Sequence, residues 1–535
     1  MLMGVRIYKS GVKNTHNCTV KRYSYYISVM NPWKIITLSA LVFICSCTGR
    51  NPSVPSGSMA ARDSVKSDTA HLKSSFSSEL DRFLKDPQLR HASLSYCFRD
   101  ASNNSLIAGL NEDLSLVPAS TMKLFTTAAA LEILEPGTRF TTSLQYEGVL
   151  RGKTLTGNII IKGGGDPTFC LGEQVIKITF SNWARALRKA GIDSVFGSVL
   201  GDGSIFDEDY IPYTWTWGEI NMGYCAAASG LSINGNVYQM FFDPIKEIRF
   251  ASGLRKVTPL IPEELFYNRV YETETDEEDV YLIGHPQTNK KIIRGSVPKG
   301  KPEVPLVATI SNPPLAAATE FLGALRENGV FVSGTALSVT NSDSLAEIIK
   351  KAVIINIATV HSPTVADIVS TTNQASYNFF AETLLKHIGL KVFKQGGTES
   401  GALAVRRYWE SKGMDMGGFA MFDGSGVSRF NTFTSRQMVW LLYNMQSSGV
   451  SEEFLSSLSV AGVSGTMRTM CINSDAEGNV RAKSGTMSRV KSYAGYANTK
   501  SGKTIIFSIM VNNYDGSAFD MKMRIGHLLD ALVKY

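Results

Sequence analysis

One stretch constrains this chain more than any other: Pro118-Ala119-Ser120-Thr121-Met122-Lys123-Leu124-Phe125-Thr126-Thr127, which runs on through Ala128 to Leu134. It predicts the first turns of a buried helix. Pro118 suits a helix start, because its missing N–H is one that the first turn leaves unpaired anyway. Residues three apart share a helix face, so Ser120 and Lys123 point the same way. Their neighbours Met122, Leu124 and Phe125 are apolar. The lysine amine is therefore expected to be partly desolvated, which disfavours the ammonium and lowers its pKa. A lysine that is neutral part of the time can take a serine proton and create a nucleophile.

Ser-x-x-Lys by itself says little. It also occurs at Ser10–Lys13 and Ser488–Lys491, and a surface Ser and Lys on an amphipathic helix is the plain alternative. The apolar helix behind Ser120 and two later motifs set it apart. Ser376-Tyr377-Asn378 lies at a loop or helix start, where a hydroxyl and an amide two apart can both face a cleft. Lys483-Ser484-Gly485-Thr486 precedes alternating strands at 492–497 and 504–511. Lys-Ser-Gly recurs at Lys500, but as a plain hairpin turn, so Lys483 is the candidate.

The first 46 residues predict a targeting region. Lys34, an apolar run from Ile35 to Ile44 and Cys45-Ser46-Cys47 give a charged start, a core too short to span a bilayer and a small-residue exit. Ile44-Cys45-Ser46-Cys47 looks like a bacterial lipobox with Cys47 as the lipidated residue; the alternative is an ordinary secretory signal cut nearby. Met30 is the more natural start. The chain holds 54 Lys+Arg against 47 Asp+Glu. Six of those bases and no acids fall in residues 1–46, which leaves 48 against 47. The basic excess belongs to the leader and gives no argument for nucleic-acid binding. Cys97, Cys170, Cys225 and Cys471 follow the leader. Two bridges could pair in three ways, and a chain of this length does not need them, so free, mostly buried thiols are expected. The His and Cys spacings point to no metal site and nothing implies a cofactor.

Residues 47–75, rich in Ser, Pro and Thr, read as a flexible tether. Residues 91–99 alternate, with Ala92, Leu94, Tyr96 and Phe98 on one face of a strand, and 106–110 looks like its return strand. Ser362-Pro363 is a candidate cap for the helix that carries Val365 to Ile368. From about Thr141 the character changes to short strands and turns. Trp215, Trp217 and Tyr224, with Glu219 among them, are either a buried edge or one wall of a substrate cleft. The acid run Glu272 to Asp279 is expected to be a solvated loop. These shifts divide the chain into a first catalytic segment at 76–141, an insertion at 142–355 and a second catalytic segment at 356–535.

Ser-x-x-Lys, Ser-x-Asn and Lys-Ser/Thr-Gly in that order form the set found in penicillin-binding proteins and serine β-lactamases. Longer strings match too: Pro118 to Thr127, Lys162-Gly163-Gly164-Gly165-Asp166-Pro167-Thr168, Asp423 to Arg429 and Ala482 to Thr486. From about Ser93 onward the chain resembles the D-alanyl-D-alanine carboxypeptidase/endopeptidase family, the low-molecular-mass class C penicillin-binding proteins. The resemblance implies an α/β (α+β) fold: a serine β-lactamase/transpeptidase-like domain, with a five-stranded antiparallel sheet between helix clusters, interrupted by two nested, mainly-β inserted domains.

It also implies peptidoglycan stem peptides as substrate, β-lactams as covalent inhibitors, a cell-envelope location and no nucleic-acid partner. By this mapping Ser120 is the acylated nucleophile and Lys123 its base. Ser376 relays a proton to the leaving amine and Asn378 holds the peptide carbonyl. Lys483, Ser484 and Thr486, with Gly485 between them, bind the terminal carboxylate. The N–H groups of Ser120 and Thr486 form an oxyanion hole. Arg429 and Met487 fall at positions of a side pocket for the stem's amino-acid side chain. Glu219 matches less closely, since Asp is commoner there, but an acid suits the ammonium end of a diamino acid. Two rivals are a β-lactamase, for which no convincing Glu-x-x-Leu-Asn string is present, and a wall-binding lipoprotein without catalysis, which has no need of a Ser–Lys pair.

Overall fold

Two apolar cores, one on each face of a single antiparallel sheet, fix the position of the candidate residues. The computed structural model describes residues 74–242, 254–259, 265–275, 279–285, 288, 290–300, 304–341 and 344–535, together with three short strands near the N-terminus. The chain forms two units, Met1–Val65 and Lys66–Tyr535. In the first, Lys9–Gly11, Lys21–Tyr26 and Ser39–Ile44 pair antiparallel; the last covers part of the run expected as a signal-peptide core. Met30, the lipobox residue Cys47 and the tether up to residue 73 lie outside the described residues.

In the second unit the sheet runs, edge to edge, Ser459–Val460, Val480–Met487, Val490–Asn498, Thr504–Asn512, Ser93–Asp100, Leu106–Leu110. The two-residue first strand extends the expected five to six. Ser93–Asp100 starts two residues later than its alternation predicts, and it buries Ser95 and Cys97 as well as Tyr96 and Phe98. Helices cover both faces of the sheet, so period-2 polarity is lost. On one face Ser74–Leu84 and Ala518–Val533 close a core around Phe76, Phe98, Phe507 and Leu529. On the other, Lys123–Leu134, Val365–Gln374, Asn378–Phe393, Thr398–Ser411 and Ser435–Met445 enclose Phe125, Leu131, Leu384 and Phe433.

Residues 139–364 build a second sheet with strand order Ala336–Val339, Val199–Asp202, Ile159–Gly163, Arg139–Glu147, Ile354–Thr364. Helices Glu173–Lys189 and Pro313–Glu327 pack on it around Phe180, Trp183 and Phe321. Two three-stranded sheets follow within residues 237–309. The acid run is not all loop: Glu272 lies in the strand Leu265–Thr273 and Asp279 opens the strand Asp279–Ile283, while Glu274 pairs with Lys299 at 3.1 Å; residues 276–278 lie outside the described residues. The first helix after the insert is capped by Thr364, whose side chain and Asp367 form a reciprocal box. Ser362, the expected cap, is spent elsewhere: its Oγ accepts the Phe140 N–H at 2.8 Å. Cys97, Cys170, Cys225 and Cys471 are free thiols, the first three buried.

Candidate active site

Ser120 does not sit on an α-helix. Ala119 takes φ +48°, and Ala119–Met122 is a single 3-10 turn that passes into the α-helix Lys123–Leu134. In a 3-10 turn residues i and i+3 eclipse, so Lys123 lies directly over Ser120. Its side chain is fully buried, more than the partial desolvation expected. Nζ lies 2.9 Å from Ser120 Oγ, 2.6 Å from Asn378 Oδ1 and 2.6 Å from the Ser425 carbonyl. A neutral amine has two hydrogens and one lone pair. The Asn378 and Ser425 oxygens take both hydrogens, and the lone pair is left facing the Ser120 hydroxyl. Burial pulls the Lys123 pKa down to about 7 against the pull of Asp423 and Glu382.

Asn378 opens the helix Asn378–Phe393, and Ser376 precedes it at φ +56°, a strained left-handed position for a serine. The Asn378 amide donates to the Tyr224 carbonyl at 2.8 Å. Lys483 enters from the strand Val480–Met487. Its Nζ donates to Ser376 Oγ at 2.8 Å and to the Ser484 carbonyl at 2.7 Å. It too is fully buried; burial and the nearby Lys123 charge hold its pKa well below the usual lysine range. Gly485 lets this strand close on the nucleophile turn: a Cβ there would lie 2.7 Å from the Pro118 carbonyl and 3.0 Å from Ser120 N. Ser484 Oγ donates to Thr466 Oγ1 at 2.8 Å, and Thr486 Oγ1 accepts from Lys491 Nζ at 2.7 Å. The three motifs, more than a hundred residues apart in the chain, thus meet in one hydrogen-bonded cluster. The other Lys-Ser-Gly forms the hairpin between the strands ending at Asn498 and starting at Thr504.

Two buried acids behind this cluster were not read from the sequence. Glu382 accepts from Ser425 N at 2.7 Å and from Gly424 N at 3.2 Å, and so fixes the carbonyl that holds Lys123. Burial and the Asp423 charge push its pKa up to about 8. A signal was present, since Glu382 is four residues after Asn378, among the apolar residues of the helix's first turns, and shares its face. Asp423 accepts from the backbone N–H groups of Gly426 and Ser428, from Asn431 Nδ2 and from Trp215 Nε1. Trp215 is buried, whereas Trp217 and Tyr224 are exposed, so the aromatic patch is partly core and partly wall. Glu219, half-buried, accepts from Thr216; burial first and then the Glu219 charge push the Tyr224 pKa up, while the exposed Arg429 acts on Tyr224 in the opposite sense. The structure therefore gathers Glu219, Tyr224 and Arg429 at one edge. Met487, half-buried, ends the Lys483 strand.

Known proteins resemble this chain over most of its length. The model of the D-Ala-D-Ala carboxypeptidase 3 (S13) family matches residues 76–531. A D-alanyl-D-alanine carboxypeptidase of Actinomadura sp. (strain R39) is 28% identical over 452 residues, covering 82% of this chain and 81% of the relative. The crystal structure of penicillin binding protein 4 (dacB) from Haemophilus influenzae superposes with a TM-score of 0.72 at 22% identity, covering 85% of this chain and 99% of that one. The same Haemophilus influenzae protein complexed with a β-lactam gives a TM-score of 0.68 at 21% identity, with 85% and 98% covered. These likenesses establish the mixed α/β penicillin-binding fold.

Proposed function

The chain belongs to the D-Ala-D-Ala carboxypeptidase 3 (S13) family, and from that premise we propose that it cleaves peptidoglycan stem peptides through an acyl-enzyme on Ser120. The observation that carries this reading is the set of contacts at Lys123: Nζ lies within hydrogen-bond distance of Ser120 Oγ and of the Asn378 and Ser425 carbonyl oxygens, so a neutral amine that gives its two hydrogens to those oxygens keeps its lone pair for the Ser120 proton. The Ser120 proton passes to Lys123 Nζ as Oγ bonds to the carbonyl carbon of the penultimate D-Ala. The N–H groups of Ser120 and Thr486 take the developing oxyanion, a kind of contact worth ~3 kcal/mol each. The C–N bond then breaks as the proton held on Lys123 passes through the Ser376 hydroxyl, which Lys483 holds, to the leaving amine, and Lys123 is neutral again. Water attacks the acyl carbon as Lys123 takes its proton, and the ester C–O bond breaks as that proton returns to Ser120 Oγ.

Asn378 positions the stem carbonyl, and Lys483, Ser484, Gly485 and Thr486 receive the terminal carboxylate. Glu219, Arg429 and Met487 receive the side chain of the stem's third residue. The insert, residues 142–355, supplies that substrate-side wall. The same chemistry on a cross-link gives the endopeptidase, and a β-lactam enters in place of the substrate to leave a stable acyl-enzyme. The leader composition supports export, with Cys47 as a lipid anchor. Among the described residues no helix is long and apolar enough to cross a membrane.

Digestion of purified pentapeptide and cross-linked muropeptides by the mature protein, read by mass, tests the reading. Loss of one D-Ala establishes the carboxypeptidase step on this substrate, and dimers falling to monomers establish the endopeptidase. If neither product forms while penicillin acylates the protein, the substrate assignment fails.

A further inference from the structure

Lys491 stands directly opposite Thr486 in the strand pair at the cleft, so the two side chains lie on one face of the sheet. Thr486 is exposed, but Lys491 is only 7% exposed. Its Nζ donates to Thr486 Oγ1 at 2.7 Å and lies 5.7 Å from the centre of the Tyr493 ring. The remaining charge facing it is another cation, Lys522 on the closing helix, which itself donates to Thr469 Oγ1 at 2.6 Å. Among the described residues no carboxylate forms an ion pair with Lys491. A cation this buried without a counter-ion is costly. Its position supplies a reason to keep it. Because Thr486 Oγ1 accepts from Lys491, its own hydrogen is turned away from the lysine and is left to be donated. Lys483 lies on the other side of the same strand segment, so Ser484 to Thr486 is flanked by two lysines.

We propose that Lys491 is a positioning and specificity residue which selects substrates and inhibitors with a free C-terminal carboxylate, by orienting the Thr486 hydroxyl and by placing a cation behind the Ser484–Thr486 segment. The inference rests on the reading of that segment as the carboxylate site. The incoming carboxylate supplies the negative charge that the protein withholds. Burial and Lys522 bring the Lys491 pKa down to about 8 in the free protein, so the free enzyme loses this cation as pH rises through that value.

The test compares hydrolysis of diacetyl-Lys-D-Ala-D-Ala with hydrolysis of its C-terminal amide. The wild type should prefer the acid. In Lys491→Met the acid-over-amide ratio of kcat/KM should fall about tenfold, chiefly through KM, as expected for loss of a charge-assisted contact. Lys491→Arg should keep the ratio, and should lose the rise in KM that the wild type shows for the acid above pH 8. An equal fall for acid and amide in Lys491→Met would make the residue merely structural and overturn the proposal. Should that variant not fold, Lys491→Arg decides: a KM profile unchanged from the wild type overturns the proposal. A wild type without any preference would instead remove the carboxylate reading of Ser484–Thr486 and the inference with it.

Discussion

Gly426→Ala should disable acylation without touching a polar group. Gly426 sits at φ +83°, and a Cβ there would lie 2.0 Å from the Ala119 carbonyl oxygen, 2.5 Å from its carbon and 3.1 Å from Ser120 N. A comfortable carbon–oxygen contact is about 3.3 Å, so either the Asp423–Gly426 loop or the nucleophile turn must retreat by about 1 Å. Both moves separate Ser120 from the amine that activates it, because Lys123 is held by Ser425 in that loop. A misplacement of about 1 Å can cost about a hundredfold in rate. The left-handed backbone adds a penalty of about 1–2 kcal/mol for alanine. Gly502→Ala is the matched control: it has the same φ of +83° and nothing within 4 Å of the position its methyl would take, so it carries the backbone penalty alone. Second-order acylation by a fluorescent penicillin, with thermal melts alongside, separates the two effects. The expected result is a rate at least about a hundredfold down in Gly426→Ala and unchanged in Gly502→Ala. Gly426→Ala acylating within about threefold of wild type, at about the stability of Gly502→Ala, would refute the reasoning.

Two other outcomes follow from the same cluster. Acylation should rise about tenfold per pH unit below neutrality and level off above about 7, because the Lys123 ammonium must lose its proton before it can accept one from Ser120; a rate independent of pH from 5 to 8 would count against the base assignment. Glu382→Ala should destabilise the protein by about 2–6 kcal/mol, since it leaves the Gly424 and Ser425 N–H groups without their acceptor in a buried site. Acylation should fall with it as the Ser425 carbonyl drifts from Lys123, and chemical denaturation together with penicillin labelling checks both.

The site was legible wherever the chemistry needs a residue type at a short spacing. Ser120 and Lys123 are three apart, Ser376 and Asn378 two apart, and Lys483 comes just ahead of two stretches, 492–497 and 504–511, that read as alternating strands. Features set by packing from elsewhere in the chain were less legible. The turn at Ser120 is 3-10 rather than helical from Pro118, because Ala119 is pressed into positive φ where Gly426 closes on its carbonyl. Asp423 draws its donors from Trp215 and Asn431, which no local pattern connects. The cap passed from Ser362 to Thr364 because Ser362 is bound to the incoming strand at Phe140. Lys491 belongs to a chance match to Ser-x-x-Lys, and only the strand register reveals that it faces Thr486.

The most direct test of acyl transfer through Ser120 is the position of the covalent adduct after reaction with penicillin, found by peptide mass mapping of the wild type and Ser120→Ala. The expected result is a penicilloyl group on the peptide that carries Ser120, absent from the variant. An adduct on Ser376 or on any other residue, or one that survives in Ser120→Ala, would contradict it.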